Sequence, residues 1–251
     1  MLNLTKSNIK RLILPFILLI SIGFIYEVSM ILYVSKNGSV QYPIEQWFIA
    51  NEIIDFLFPI LCVFPFCWVY YFEKKDGYIK YLSTRICMKS YIFNRYKVTC
   101  LISGTSIFLI YFFGLLISLY IIKPSTIYES NFINSNFLGN FQAENPLLFG
   151  FLLCLLKGFI CCLFCSLGIL LSLLINNLFV VLTGPFIYVT LENYILGMLS
   201  LPQYNIYTTF SFNRLDPSSM SLISLFVPIA IAIILNLILI FISSRKDLSN
   251  V

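Results

Sequence analysis

The chain has 251 residues, of which 59% are hydrophobic and 11% charged. A soluble domain is typically about 45–50% apolar and about 25% charged. This composition therefore excludes a water-covered globular protein, and equally a disordered one, and leaves a polytopic membrane protein. Histidine is absent, which removes serine–histidine and cysteine–histidine catalysis, histidine-ligated zinc hydrolysis and histidine-ligated haem.

A spanning helix needs about 20 mostly apolar residues. Six runs meet this: Leu12–Val34, Ile53–Phe72, Val98–Ile122, Leu147–Ile175, Leu178–Leu201 and Leu222–Ile242. They are apolar on all sides rather than alternating, so the expected fold class is an all-α membrane protein, one transmembrane domain over residues 1–251, and not a β-barrel. The first apolar run is too long for a cleaved signal peptide and reads as a retained span. Ahead of it, Leu2, Leu4 and Ile9 among polar residues suit either a short helix on the membrane surface or a frayed tail. The fourth run is long enough to tilt or to extend beyond the bilayer. The fifth is interrupted by Gly184-Pro185 and by Glu192-Asn193, with Gly197 and Pro202 behind. Two readings stay open there: a span to about Thr190 followed by a segment near 191–205 that dips back into the outer leaflet, or one kinked helix.

Lysine and arginine set the orientation. Lys6, Lys10 and Arg11 precede the first run; Lys74, Lys75, Lys80, Arg85, Lys89, Arg95 and Lys97 lie between the second and third; Arg245 and Lys246 follow the sixth. The opposite side has Lys36, Lys123 and Arg214. This bias places both termini in the cytosol. The remaining connections, roughly 36–51, 123–146 and 202–221, then face outward and are too short for a folded domain. None of the eight cysteines falls in them, so an external disulfide framework is not expected. The CCLFC cluster at 161–165 sits in mid-helix without histidine and reads as small apolar packing rather than a metal site. The Lys-, Asn- and Ile-rich composition suits the plasma membrane of a low-GC bacterium.

No GxxxxGK[ST] loop and no GxSxG elbow occur in the sequence, so neither nucleotide hydrolysis by a phosphate loop nor serine hydrolysis is expected of this chain. Catalytic, cofactor and metal sites are not expected on it, and neither is nucleic-acid binding. The most informative segment is Glu73–Lys97, EKKDGYIKYLSTRICMKSYIFNRYK, whose seven positive and two negative charges give the same +5 as the whole protein. It is far longer than the few residues needed to join two spans. Ile79, Leu82 and Ile86 recur at helical spacing with Arg85 beside them, the pattern of an amphipathic helix near the membrane. A basic stretch that binds anionic lipid heads and fixes topology is the alternative.

Glu73, Gly77, Leu82 and Lys97, in that order, resemble the first cytoplasmic loop of type-2 ATP-binding-cassette (ABC) transporter permeases. Where that family often has a proline after the leucine, this chain reads Ser83-Thr84-Arg85. Chain length, six spans, internal termini and a broken apolar segment before the last span are similar to the family as well. The resemblance implies a permease subunit paired with a second permease copy or a paralogue. It also implies two separate soluble ATPase subunits, so that ATP is bound on the partner and no cofactor on this chain. The loop would then dock the ATPase as a coupling helix, through Glu73, Gly77, Ile79, Leu82, Arg85 and Ile86. Export of an amphipathic substrate (a peptide such as an antimicrobial peptide, a drug or a lipid-like molecule) is the implied activity. The alternatives are a non-transporting immunity or sensor protein that binds a peptide, and an ATP-independent carrier or channel.

Ionisable groups inside a membrane cost roughly 2.5–3.5 kcal/mol on insertion scales. Lys157, Glu27, Asp55 and Glu192 fall within the apolar runs or at their edges, and together could line a substrate path. For Asp55 and Glu192 the expectation is that each snorkels to the outer interface. For Lys157, pairing with Glu27 or Glu192 stands beside snorkelling as an open alternative.

Overall fold

The structure, a computed structural model, describes residues 2–40, 42–77, 88–127, 138–211, 214 and 221–245. Eight helices occur among the described residues. They are α1 (Leu2–Asn37), α2 (Pro43–Lys75), α3 (Met88–Leu116), α4 (Gly139–Glu144), α5 (Pro146–Leu174), α6 (Leu178–Met198), α7 (Ile206–Phe210) and α8 (Leu222–Arg245). Six of them, all but α4 and α7, are long and apolar enough to cross a membrane. In lipid a backbone must satisfy its own hydrogen bonds, which makes helices of these runs. The protein is thus an all-α, multi-pass membrane protein with six spans.

Residues 38–42 connect α1 to α2 and residues 175–177 connect α5 to α6, connections short enough to force antiparallel neighbours. One end of the bundle gathers the end of α1, the start of α2, the end of α3 and the start of α5. It is called here the Pro43 end, and the other the Lys75 end. At the Pro43 end the polar backbone is tied rather than loose. Ser39 and Val40 pair in parallel with Thr126 and Ile127, the Ser35 hydroxyl donates to the Lys123 carbonyl at 2.9 Å, and the Ser118 hydroxyl donates to the Pro43 carbonyl at 2.7 Å. Ser118 lies in a π-helical turn, Ile117–Ile121, that ends α3.

α5 occupies the centre, packed on α2, α3, α6 and α8, with the α3–α5 contact the most extensive. Glycine explains how close that pair comes. A Cβ at Gly104 would lie 2.7 Å from the Gly158 carbonyl oxygen, and one at Gly158 would lie 3.0 Å from the Gly104 carbonyl oxygen. Small residues that let backbones touch are the usual glue between helices in lipid, where apolar surface has no water to leave. Polar side chains add to it. Tyr96 on α3 hydrogen-bonds Ser166 on α5 at 2.7 Å, and Ser166 in turn donates to Asn236 on α8. In α2, Pro59 and Pro65 each delete an intrahelical donor, and Ser103 on α3 donates to the Cys62 carbonyl between them at 2.8 Å.

At α1 neither open reading holds, and at α6 the single-helix reading does. α1 is continuous from Leu2 into the membrane, so no separate surface helix precedes the span. α6 runs unbroken through Gly184-Pro185 and Glu192-Asn193 to Met198. A helix among packed neighbours in lipid tolerates Pro and Gly because leaving it would strand backbone groups. The returning segment starts only after that, at Pro202–Tyr204 and α7, and lays Phe210 flat on Phe58 of α2 at 4.0 Å between ring centroids.

Candidate functional site

Among the described residues there are three ion pairs, and they fall into two buried clusters, one toward each end of the bundle.

The cluster toward the Pro43 end forms around Lys157. Asp55 lies about 18 Å along α2 from Pro43 at a rise of 1.5 Å per residue, well inside the bundle. Residues Trp47, Asn51, Asp55, Phe58 and Cys62 follow one another every three or four positions and are all buried, so a single face of α2 points inward. On α5, Lys157 precedes Gly158, and the close α3–α5 approach carries its ammonium to Tyr111 of α3. Lys157 Nζ donates to Asp55 Oδ1 at 2.6 Å and Tyr111 Oη donates to the same oxygen at 2.5 Å. Both partners of the ion pair are essentially inaccessible, at 1% and 3% side-chain exposure. The ammonium also stands 4.1 Å from the centroid of the Tyr111 ring, 4.9 Å from that of Phe210 and 5.5 Å from that of Trp47. It is therefore held in an aromatic box closed on one side by a carboxylate. Trp47 is fixed in turn by its indole N–H, which donates to the Tyr111 carbonyl at 3.1 Å.

Glu27 of α1 is the odd member. It is fully buried, and neither carboxyl oxygen has a hydrogen-bonding partner in bonding geometry. The Asn51 side chain and the Gly114 backbone lie beside it, so close that a Cβ at Gly114 would collide with the carboxyl group. The Asn51 side-chain oxygen and the Tyr26 hydroxyl lack partners as well. A buried acceptor without a donor costs free energy, so this region has unused capacity to bind positive charge or a donor.

The third acid, Glu192, does not join. It lies half-buried on peripheral α6, beside Tyr188 and the Ile206 amide. Two expectations are corrected here. Asp55 does not snorkel, because its face of α2 points at α3 and α5. Lys157 pairs with Asp55 and not with Glu27 or Glu192.

Between α2 and the α7 segment, the described residues leave a cleft of about 220 Å³ that reaches Asp55 and is bounded by Glu52, Tyr207, Ser211 and Arg214. Arg214 stacks over the Tyr207 ring at 4.4 Å and donates to Asn193 Oδ1 at 3.0 Å. The same Asn193 oxygen accepts from Asn205 Nδ2 at 2.7 Å. One side chain near the end of α6 thus holds down both the α7 segment and the cation at the mouth.

The cluster at the Lys75 end forms around Glu73, in the last turn of α2. Glu73 Oε1 accepts from Arg11 of α1 at 2.7 Å and from Arg95 of α3 at 3.0 Å, and Tyr91 donates to Oε2 at 3.4 Å. Arg95 is 1% exposed and also donates to the Asn8 carbonyl at 3.1 Å. After Glu73 the helix closes with the Asp76 N–H to the Phe72 carbonyl at 2.8 Å. Gly77 then takes φ +74°, the left-handed conformation that glycine adopts without strain. Lys74 reaches across to the α5–α6 turn, donating to Asn176 Oδ1 at 2.9 Å. The other residues of the expected coupling helix, Ile79, Leu82, Arg85 and Ile86, lie outside the described residues.

Sequence reasoning singled out the four intramembrane charges but missed Tyr111, Trp47 and Phe210 as the walls of the box, and Arg11 and Arg95 as the partners of Glu73. The 47–51–55 spacing carries the signal for the inward face of α2; nothing local marks Phe210, which arrives from a distant segment. Searches against family models, curated proteins and solved structures match nothing to this chain.

Proposed function

We propose that this protein is the membrane-spanning permease subunit of an ATP-driven exporter of the type-2 ABC kind. It would work in a bacterial plasma membrane with both termini in the cytosol, beside a second permease chain and separate ATPase subunits. The observation that supports this reading is the position of Glu73. The residue that resembles the family's glutamate stands where the basic segment leaves α2, and two arginines bind it to α1 and α3. A load applied to the segment after Gly77 would pass through that clamp into three helices at once, rather than bending one helix end. A chain without a nucleotide site needs such a mechanical entry point.

The test is Leu82→Asp, in the apolar stripe of the segment. It is expected to abolish stimulation of a co-expressed ATPase and to weaken co-purification while membrane insertion stays normal. An ATPase that still co-purifies and is still stimulated, with Lys74, Lys75 and Lys89 charge reversals alone having an effect, would leave a lipid-binding, topology-setting loop instead. The orientation is checked by single cysteines in a cysteine-free background. Asn136→Cys and Ser218→Cys should label from outside intact cells, and Ser83→Cys only after permeabilisation.

A further inference from the structure

We propose that the cleft between α2 and the α7 segment receives the ammonium group of an amphiphile, and that Lys157 is an internal stand-in which that group displaces from Asp55. This names the head group of the exported molecule and so rests on the transport reading.

Three observations converge on it. The box around Lys157 Nζ has the chemistry of an ammonium receptor: the faces of Tyr111, Phe210 and Trp47 on three sides and the Asp55 carboxylate on the fourth. Aromatic faces attract cations through the ring quadrupole, more strongly once water is excluded. One wall of the box also faces outward. Asp55 borders a cleft of about 220 Å³ whose mouth carries Glu52 and Arg214, both exposed, and that volume admits a small ammonium head. Finally, Lys157 has somewhere to go. Glu27 is fully buried with both oxygens unpartnered, and it is near enough to Lys157 for electrostatic interaction.

An incoming cation that takes Asp55 would therefore not strand the lysine, since its ammonium can turn on its flexible stem toward Glu27. The charges agree. Glu52 and Asp55 border the cleft against the single cation Arg214, so an incoming ammonium meets two acids there. The apolar tail has a surface to follow, because Ile49, Ile53 and Phe56 are exposed on the outer face of α2 beside the cleft. An anionic head group meets the opposite condition, with Glu52 at the mouth and Asp55 at the floor.

The experiment uses the purified full chain in neutral maltoside micelles, without ATPase, so that failure here leaves the coupling test of Leu82→Asp standing. The chain contains two tryptophans, and Trp68→Phe leaves Trp47, in the box, as the reporter. Hexyltrimethylammonium is titrated against hexanoate and hexanol, which share its chain but not its charge. A saturable change in Trp47 fluorescence is expected with the ammonium alone. Lys157→Met, which vacates the box, should tighten binding at least tenfold. Glu52→Gln and Arg214→Gln replace exposed residues at the mouth and decide the matter if Lys157→Met does not fold. The first should weaken binding threefold or more, and the second should tighten it. An equal response to hexanol or hexanoate, or shifts of the same sign or of no size in the two mouth variants, would overturn the proposal.

Discussion

At the Lys75 end, one carboxylate is shared by two arginines from different helices. Toward the Pro43 end, one ammonium lies near two buried acids and pairs with a single one of them. The first cluster balances its buried charges. Glu73 accepts on both oxygens and Arg95 reaches a second acceptor on α1, although Arg95 Nε finds none. Such a clamp has one low-energy arrangement and serves to hold three helix ends in register. The second cluster is undersupplied with positive charge, and Glu27 stays without a partner. A group with a second acid within reach has a second arrangement to move to, which is the requirement for a site that exchanges its occupant. Arg95 and Lys157 are equally buried; the number of acids around each cation separates a fastening from a site.

That contrast can be broken most forcefully at Asp55. Asp55→Ala takes away the acid to which both Lys157 and Tyr111 donate and forces the ammonium out of the box toward Glu27. It should cost about 3–5 kcal/mol, the range for loss of one partner from a buried pair. The midpoint of unfolding in a denaturing-detergent titration reads this out. Adding Lys157→Met to the Asp55→Ala chain should restore at least half of the loss. A wild-type midpoint for Asp55→Ala would mean that Lys157 has another partner already in hand, and the two ends would no longer differ.

Glu73→Gln is expected to act less strongly, by about 2–3 kcal/mol. Arg95 is stranded in full but Arg11, at 38% exposure, can turn to water. In the same measurement Arg11→Ala should cost only about 0–1 kcal/mol, the range of exposed pairs. An Arg11→Ala loss as large as that of Glu73→Gln would show that α1 depends on this clamp far more than its exposure implies.

The smallest effect sharpens the contrast most. Glu27→Gln removes a charge that has no partner to strand, so stability should move by no more than about 1 kcal/mol in either direction. A loss comparable to that of Asp55→Ala would reveal that Glu27 already compensates Lys157, and the surplus of acid would vanish.

Much of this architecture was legible in the chain because six long apolar runs have one solution in lipid. The helix ends were less so: α2 starts at Pro43, ten residues before its apolar run, because Glu45, Gln46 and Glu52 are polar yet sit on the turns of the same helix. The pairing of charges was hidden for another reason. Depth can be read from position along a run, but which way a residue faces cannot when the run is apolar all round, and Asp55, Glu27 and Glu192 all sit in the portions of their spans nearest the Pro43 end. Only the polar residues at 51 and 55 under Trp47 mark an inward face. Glu192 has no such companions, and its helix is the least buried of the six.

The contact between Gly104 and Gly158 has a consequence for leakage. Where the backbones of α3 and α5 touch, Ile160, Cys161, Phe164 and Cys165 are fully buried behind them. An ion at Asp55 would meet this apolar layer next along α5, a low-dielectric barrier of the kind that lets a protein stand in a membrane potential without draining it.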